Sequence, residues 1–312
     1  MGSLLFAIIK TARPRQWLKN LALFATILMT GHIFEGAAFS STLLGFIAFC
    51  LLSSSNYVFN DVMDIDHDRK HPFKKFRPIA SGDLPKPLAY ILSGLLVVSG
   101  LIISFSINKT FFTLSIIFIL LEYSYTLFLK HITVIDILTI TAAYFIRVYA
   151  GEAATGYHIS VWIALATLSL ALFLAIGKRR AELTLIQGYK GTLPNETRSS
   201  LSHYSERLLD TYTAMFANST FITYAFYTFL ERPVNQGFFF KGYTMFTQDL
   251  PDRKWIMITI PFVLYGIMRY MQLIYEGKGE SPEKILTTDK PLLTTVILWS
   301  VCVVLIIYGI GA

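Results

Sequence analysis

The stretch SSTLLGFIAFCLLSSSNYVFNDVMDIDHD, residues 40–68, passes from an uncharged apolar segment directly into four aspartates. Residues 40–59 alone have the length an α-helix needs to cross about 30 Å of hydrocarbon. The rest of the chain shares this character: 54% of its 312 residues are hydrophobic, 15% are charged, and the mean hydropathy is +0.54. Uncharged runs of that length are not needed to build a soluble core. The chain therefore reads as an all-α, polytopic membrane protein.

Hydropathy and turn residues predict nine spanning helices, near residues 18–35, 40–59, 87–106, 110–129, 132–151, 158–177, 207–230, 254–275 and 291–311. The N-terminal 1–17 is too interrupted by charge for a cleaved signal peptide and reads as an amphipathic, surface-lying lead-in. Neither a repeat nor a loop large enough for a soluble domain is evident, so residues 1–312 form one integral membrane domain. Cys50 and Cys302 lie in apolar segments without CxxC or Cys/His spacing and read as packing residues.

The net charge of +7 is unevenly placed. With the N-terminus in the cytoplasm, twenty Lys and Arg fall on that side and five on the other, while Arg147 and Arg269 lie within spans. The positive-inside rule then orients the chain N-in and C-out, in the plasma or inner membrane, with the aspartates facing the cytoplasm. No nucleic-acid partner is expected, and the oligomeric state is not readable.

Asp61, Asp64 and Asp68 are spaced by three and then four, which places them on one face at a helix end, with Asn60 beside the first. Three such carboxylates repel one another unless a cation joins them, and hard oxygen donors favour Mg²⁺, or Mn²⁺ as the alternative. Magnesium is usually shared with substrate phosphates, so a phosphate-bearing ligand is implied. Arg69, Lys74, Lys75 and Arg77 follow at once, able to neutralise oxygens that the metal does not reach. Pro72 and Pro78 stop the helix and Gly82 permits a turn, so this basic part should fold back over the aspartates. EF-hand, P-loop and GxGxxG patterns are absent, and the six histidines show no zinc spacing.

The pattern N-D-x-x-D-x-x-x-D at 60–68 resembles the first aspartate motif of the UbiA superfamily of intramembrane prenyltransferases, a family with nine spanning helices bundled around a cytoplasm-facing cavity. RPRQWLKN (13–20), HPFKKFRPIASG (71–82), YSYTLFLK (123–130) and GKRRAEL (177–183) resemble more narrowly its decaprenyl-phosphate phosphoribosyltransferase branch. That resemblance implies transfer of 5-phosphoribosyl from phosphoribosyl pyrophosphate to a polyprenyl phosphate. It implies Asp61, Asp64 and Asp68 as catalytic metal ligands, and Asn60, Lys19, Lys74, Arg77, Tyr125, Lys130, Lys178, Arg179 and Glu182 as substrate-binding residues. Typical members carry a second aspartate-rich motif between helices 6 and 7. Here Lys178, Arg179, Arg180 and a single carboxylate, Glu182, stand in its place, which suits a donor bearing a second phosphate group.

The acceptor phosphate is already anionic, so no strong general base is required. Its tail would lie in a lipid-open groove, with Arg15, Lys19 and Lys130 near the phosphate. Two other readings compete: prenyl transfer from a prenyl diphosphate to an aromatic or lipid acceptor, and transport of a phosphorylated lipid or divalent cation. An intramembrane arginine is costly and normally paired, which makes Glu122 and Glu152 the candidate partners of Arg147. Asp136 is either a fourth acidic group of the site or a helix cap, and Tyr204, Arg207 and Asp210 open helix 7 on the same side.

Overall fold

The computed structural model describes residues 2–70, 74–188, 201, 203–231, 254–276 and 282–310; Pro72 and most of the aromatic 231–253 loop lie outside them. Every element among these residues is helical. The thirteen α-helices are α1 (Gly2–Ala12), α2 (Ala25–Met29), α3 (Gly36–Met63), α4 (Ile65–Lys70), α5 (Pro78–Ser81), α6 (Lys86–Ile107), α7 (Lys109–Leu127), α8 (Ile135–Thr155), α9 (Val161–Gly188), α10 (Glu206–Leu230), α11 (Ile260–Tyr275), α12 (Pro282–Thr288) and α13 (Lys290–Val304).

Six stretches among the described residues are long and apolar enough to cross a membrane: α3, α6, α7, Val161–Thr184 of α9, Trp255–Tyr275 and Lys290–Gly309. Helices α8 and α10 have the length but are more polar. α8 carries Asp136 and Arg147, both buried, and α10 buries Thr213, Thr220 and Thr228 on its inner face. Their polar groups are satisfied inside the bundle, whereas α6 turns Ile91, Leu95, Val98, Ile102 and Phe105 outward.

The first expected span differs in kind. Residues Pro14–Phe24 form a 3₁₀ helix and only Ala25–Met29 are α-helical. At roughly 2 Å per residue in the first part and 1.5 Å in the second, the segment reaches about 30 Å, which the same residues wound as α-helix would not. The cause is tertiary. Asn20 is buried and tied to Arg147 and Ser53, and a Cβ on Gly151 would lie 2.1 Å from the Leu23 carbonyl oxygen. The glycine thus lets this backbone press against α8.

Packing follows from these faces. Leu23, Ala48, Phe49, Leu52, Phe111 and Phe118 fill one core between the first segment, α3, α7 and α8. A second core joins Phe173 of α9, Ala217 of α10, Tyr270 and Ile274 of α11, and Ile285 of α12. α1 buries Ala7 and Thr11 and exposes Leu4, Leu5, Phe6 and Ile9.

Candidate active site

Helix α3 ends at Met63, with Asp64 as its C-cap, and α4 restarts at Ile65. The break is slight: Asp64 N–H donates to the Asn60 carbonyl at 2.9 Å and Asp68 N–H to the Asp64 carbonyl at 2.8 Å. Asp61 and Asp68 are each 2% exposed. Beyond α4 the chain doubles back through a 3₁₀ turn at Lys74–Phe76 and α5, and Gly82 closes the turn at φ 95°. Arg77 precedes Pro78 and is extended, as a residue before proline prefers.

The fold-back delivers Arg77 onto the aspartates. Its Nη1 donates to Asp61 Oδ1 at 3.0 Å and to Asp68 Oδ2 at 2.7 Å, and Arg13 Nη2 donates to the same Asp61 oxygen at 2.5 Å. Arg13 is held in the left-handed region at φ 52°, ψ 63°, a conformation costly for a residue with a Cβ. Its guanidinium also lies 5.2 Å from the Tyr57 ring. Asp64 turns elsewhere, to Lys130, whose Nζ donates to its Oδ1 at 2.5 Å; the Asp64 side chain is 28% exposed and that of Lys130 7%. Burial pushes the Asp68 carboxyl upward, Arg77 draws it back and Asp61 adds to the rise; the net shift is above the usual carboxylate range.

The three aspartates are therefore brought to one end of α3 and paired with three protein cations, but they do not close on a single point. Among the described residues no three His, Cys, Asp or Glu side chains are arranged to hold a metal ion. The donor chemistry still fits a hard divalent cation: two buried carboxylates share one guanidinium, and a third meets an ammonium that a metal ion would replace. Asn60 is half-buried beside Asp61, and Lys74 is half-buried on the returning turn.

A second group of expected site residues is gathered elsewhere. Arg179 has no exposed surface. Its Nε lies 2.8 Å from Asp136 Oδ2, its Nη2 donates to the Tyr125 hydroxyl at 2.9 Å, and its Nη1 donates to Glu182. Asp136 Oδ1 accepts from the Ile137 N–H at 2.9 Å and the Tyr204 hydroxyl at 2.8 Å. Tyr204 in turn accepts from the Val134 N–H at 2.7 Å, where φ is 72°, an outlier for a β-branched residue. Asp136 is thus the buried counter-ion of Arg179, and the Arg179 network fastens α7, α8, α9 and the approach to α10. Arg180 continues the fastening through Asp210 at 2.7 Å and Glu206 at 3.2 Å. Arg147 is a structural hub: its Nε donates to Asn20 Oδ1 at 2.8 Å, Glu122 lies 3.7 Å from Nη2, and the Phe118 ring is 4.7 Å away. Of the two candidate partners, Glu122 faces it, while Glu152 turns to His158.

Lys19 faces Glu283 of α12 at 2.7 Å. Burial pushes the Glu283 carboxyl up, but Lys19 outweighs it and holds the group below its usual range. Lys178 is half-buried within electrostatic reach of Lys19, Glu182 and Glu283. Neither Arg13 nor Glu283 stood out in the sequence as a site residue. The hints were Arg13's place at the head of the RPRQWLKN segment and Glu283's place just after Pro282, at the start of a short helix.

The chain matches the UbiA prenyltransferase family over residues 21–182. It is 33% identical over 302 residues to the decaprenyl-phosphate phosphoribosyltransferase of Mycolicibacterium smegmatis, covering 95% of this chain and 91% of that protein. The chain belongs to the UbiA prenyltransferase family. A Mycobacterium tuberculosis relative of the same description is 30% identical over 303 residues, covering 96% of this chain and 93% of that one. Among solved structures, a UbiA homolog from Archaeoglobus fulgidus bound to GPP and Mg²⁺ superposes with a TM-score of 0.71 at 19% identity, over 96% of this chain and 99% of that one. That likeness establishes the UbiA fold for this family member.

Proposed function

We propose that the protein transfers the 5-phosphoribosyl group of phosphoribosyl pyrophosphate to a decaprenyl-like polyprenyl phosphate, with release of pyrophosphate. The observation that carries this reading is the pairing of Asp61, Asp64 and Asp68 with Arg13, Arg77 and Lys130 at one end of α3. Both a cation and phosphate oxygens suit that arrangement. The likeness to phosphoribosyltransferases along nearly the whole chain supports the choice of substrate.

Asp61, Asp64 and Asp68 would hold Mg²⁺, with Mn²⁺ as the alternative, and the ion would neutralise charge gathering on the departing diphosphate. Arg77 and Lys130, freed from their carboxylates, would then turn to phosphate oxygens, with Lys74 and Asn60 alongside. Carbon–oxygen cleavage at the anomeric carbon has oxocarbenium character, and the acceptor phosphate attacks as an anion without a general base. Lys19 and Lys178 would meet a further phosphate group. Arg179, buried against Asp136, would act with Tyr125 and Glu182 by fixing the helix that carries Lys178.

In this reading residues 1–312 form one domain that crosses the cell membrane nine times. The N-terminus is cytoplasmic, the C-terminus is outside, and the cavity among the helices opens to the cytoplasm. The test is to offer purified protein labelled phosphoribosyl pyrophosphate, polyprenyl phosphate and Mg²⁺, and in parallel prenyl diphosphates with aromatic acceptors. Label entering lipid from the first set supports the proposal. Product from the second set alone overturns it in favour of prenyl transfer.

A further inference from the structure

Two ammonium groups converge on Glu283: Lys19 pairs with it directly, and Lys178 lies within its electrostatic reach and that of Glu182, which also binds Arg179. Glu283 is 5% exposed, and Lys19, at 2.7 Å, is its ion-pair partner. No ion pair is formed by Lys178 among the described residues. The Tyr270 hydroxyl, on a side chain only 4% exposed, has no hydrogen-bond partner there, and it lies within electrostatic range of Lys19, Glu283 and Tyr144. Buried hydroxyls are rarely left unpartnered, because doing so costs about 1–3 kcal/mol. Two neighbouring ammonium groups and a buried hydroxyl without a partner among the described residues suit an acceptor with negative charge.

We propose that Glu283 is an internal competitor for a phosphomonoester subsite formed by Lys19, Lys178 and Tyr270: its carboxylate holds Lys19 until a substrate phosphate displaces it. A phosphomonoester carries about −1.5 to −2 charge and three acceptor oxygens, enough for both ammonium groups and the phenol. Glu283 cannot stay in place once that charge arrives, since two anions so close in a poorly solvated site repel one another. It therefore sets the affinity of the subsite and favours release after transfer. The inference rests on the proposed phosphoribosyl transfer, because both the 5-phosphate of the donor and the phosphate of the lipid acceptor are phosphomonoesters.

The test compares wild type, Glu283→Gln, Lys19→Met and the double variant in detergent. Ribose 5-phosphate and geranyl phosphate serve as probes of the two sources, and binding is read as ligand-induced stabilisation against heat. Glu283→Gln should tighten one probe by about fivefold or more, the size of a modest coupling between sites. The KM of the corresponding substrate should fall with it, and the double variant should lose the gain. The probe that responds identifies which phosphate occupies the subsite. Unchanged or weakened binding of both probes overturns the inference and leaves Glu283 as a fastening between α12 and the first segment. If Glu283→Gln does not fold, Glu283→Ala is read in the same way. Failure here with phosphoribosyl transfer intact sinks only the subsite; absence of phosphoribosyl transfer from the wild type sinks the functional reading itself.

Discussion

Replacing Arg179 separates two roles that its position allows, fastening the bundle or binding substrate. Its side chain and that of Asp136 both have no exposure, and they meet at 2.8 Å. Arg179→Met would leave the Asp136 carboxylate buried without its guanidinium partner, although it still accepts from the Ile137 N–H and the Tyr204 hydroxyl. Removing one partner of a buried pair costs about 3–5 kcal/mol, because the remaining charge stays desolvated. At about 2–4 °C per kcal/mol for chains of a few hundred residues, the melting temperature should fall by about 10 °C. Adding Asp136→Asn removes the stranded charge while its amide oxygen still accepts both hydrogen bonds, so most of the loss should return. The assay is thermal unfolding in detergent across the four-member cycle, with KM for the phosphoribosyl donor measured alongside. An Arg179→Met protein that melts like the wild type and shows only a raised donor KM would refute the fastening role.

Three further outcomes follow from particular contacts. Gly151→Ala places a methyl group 2.1 Å from the Leu23 carbonyl oxygen, against backbone that cannot swing aside, and should lower the melting temperature by several degrees, consistent with an overpacking cost of about 1–3 kcal/mol. Asp64→Asn should reduce turnover by about 100-fold or more in protein that still folds, measured with saturating Mg²⁺; wild-type-like turnover would remove Asp64 from the site. The Glu283 carboxyl is held low by Lys19, so its contribution to stability is present above the unfolded value near about 4.3 and is lost as pH falls through the lower folded value. Melting temperature against pH should therefore show an acid loss in the wild type that is smaller in Glu283→Gln.

Much of the architecture is written locally. Long uncharged runs fix α3, α6, α7 and α9 as spans, and Asp61 and Asp68 fall where the 3,4 spacing predicts, near the end of α3. Pro78 and Gly82 announce the return of the basic segment, and the cost of an intramembrane charge shows that Arg147 needs a partner. What could not be read from the sequence depends on distant pairings. Nothing within residues 14–24 signals a 3₁₀ helix, because the conformation is imposed by the Gly151 contact and by the Asn20 bond to Arg147. Asp64 shares a helical face with its neighbours in sequence, yet it is drawn to Lys130 from beyond α7. Arg179 looks like an ordinary flanking cation until Asp136 and Tyr204 close around it. Glu283 meets Lys19 from the far end of the chain, a contact that no periodicity encodes.

The most direct measurement of the central claim is transfer of label from phosphoribosyl pyrophosphate into polyprenyl phosphate by the purified protein, with and without Mg²⁺, for the wild type and for Asp61→Asn, Asp64→Asn and Asp68→Asn. Labelled lipid should form with the wild type, disappear on chelation and fall steeply in all three variants. Undiminished transfer by the folded variants, or none by the wild type under any divalent cation, would contradict the assignment of these aspartates to phosphoribosyl transfer.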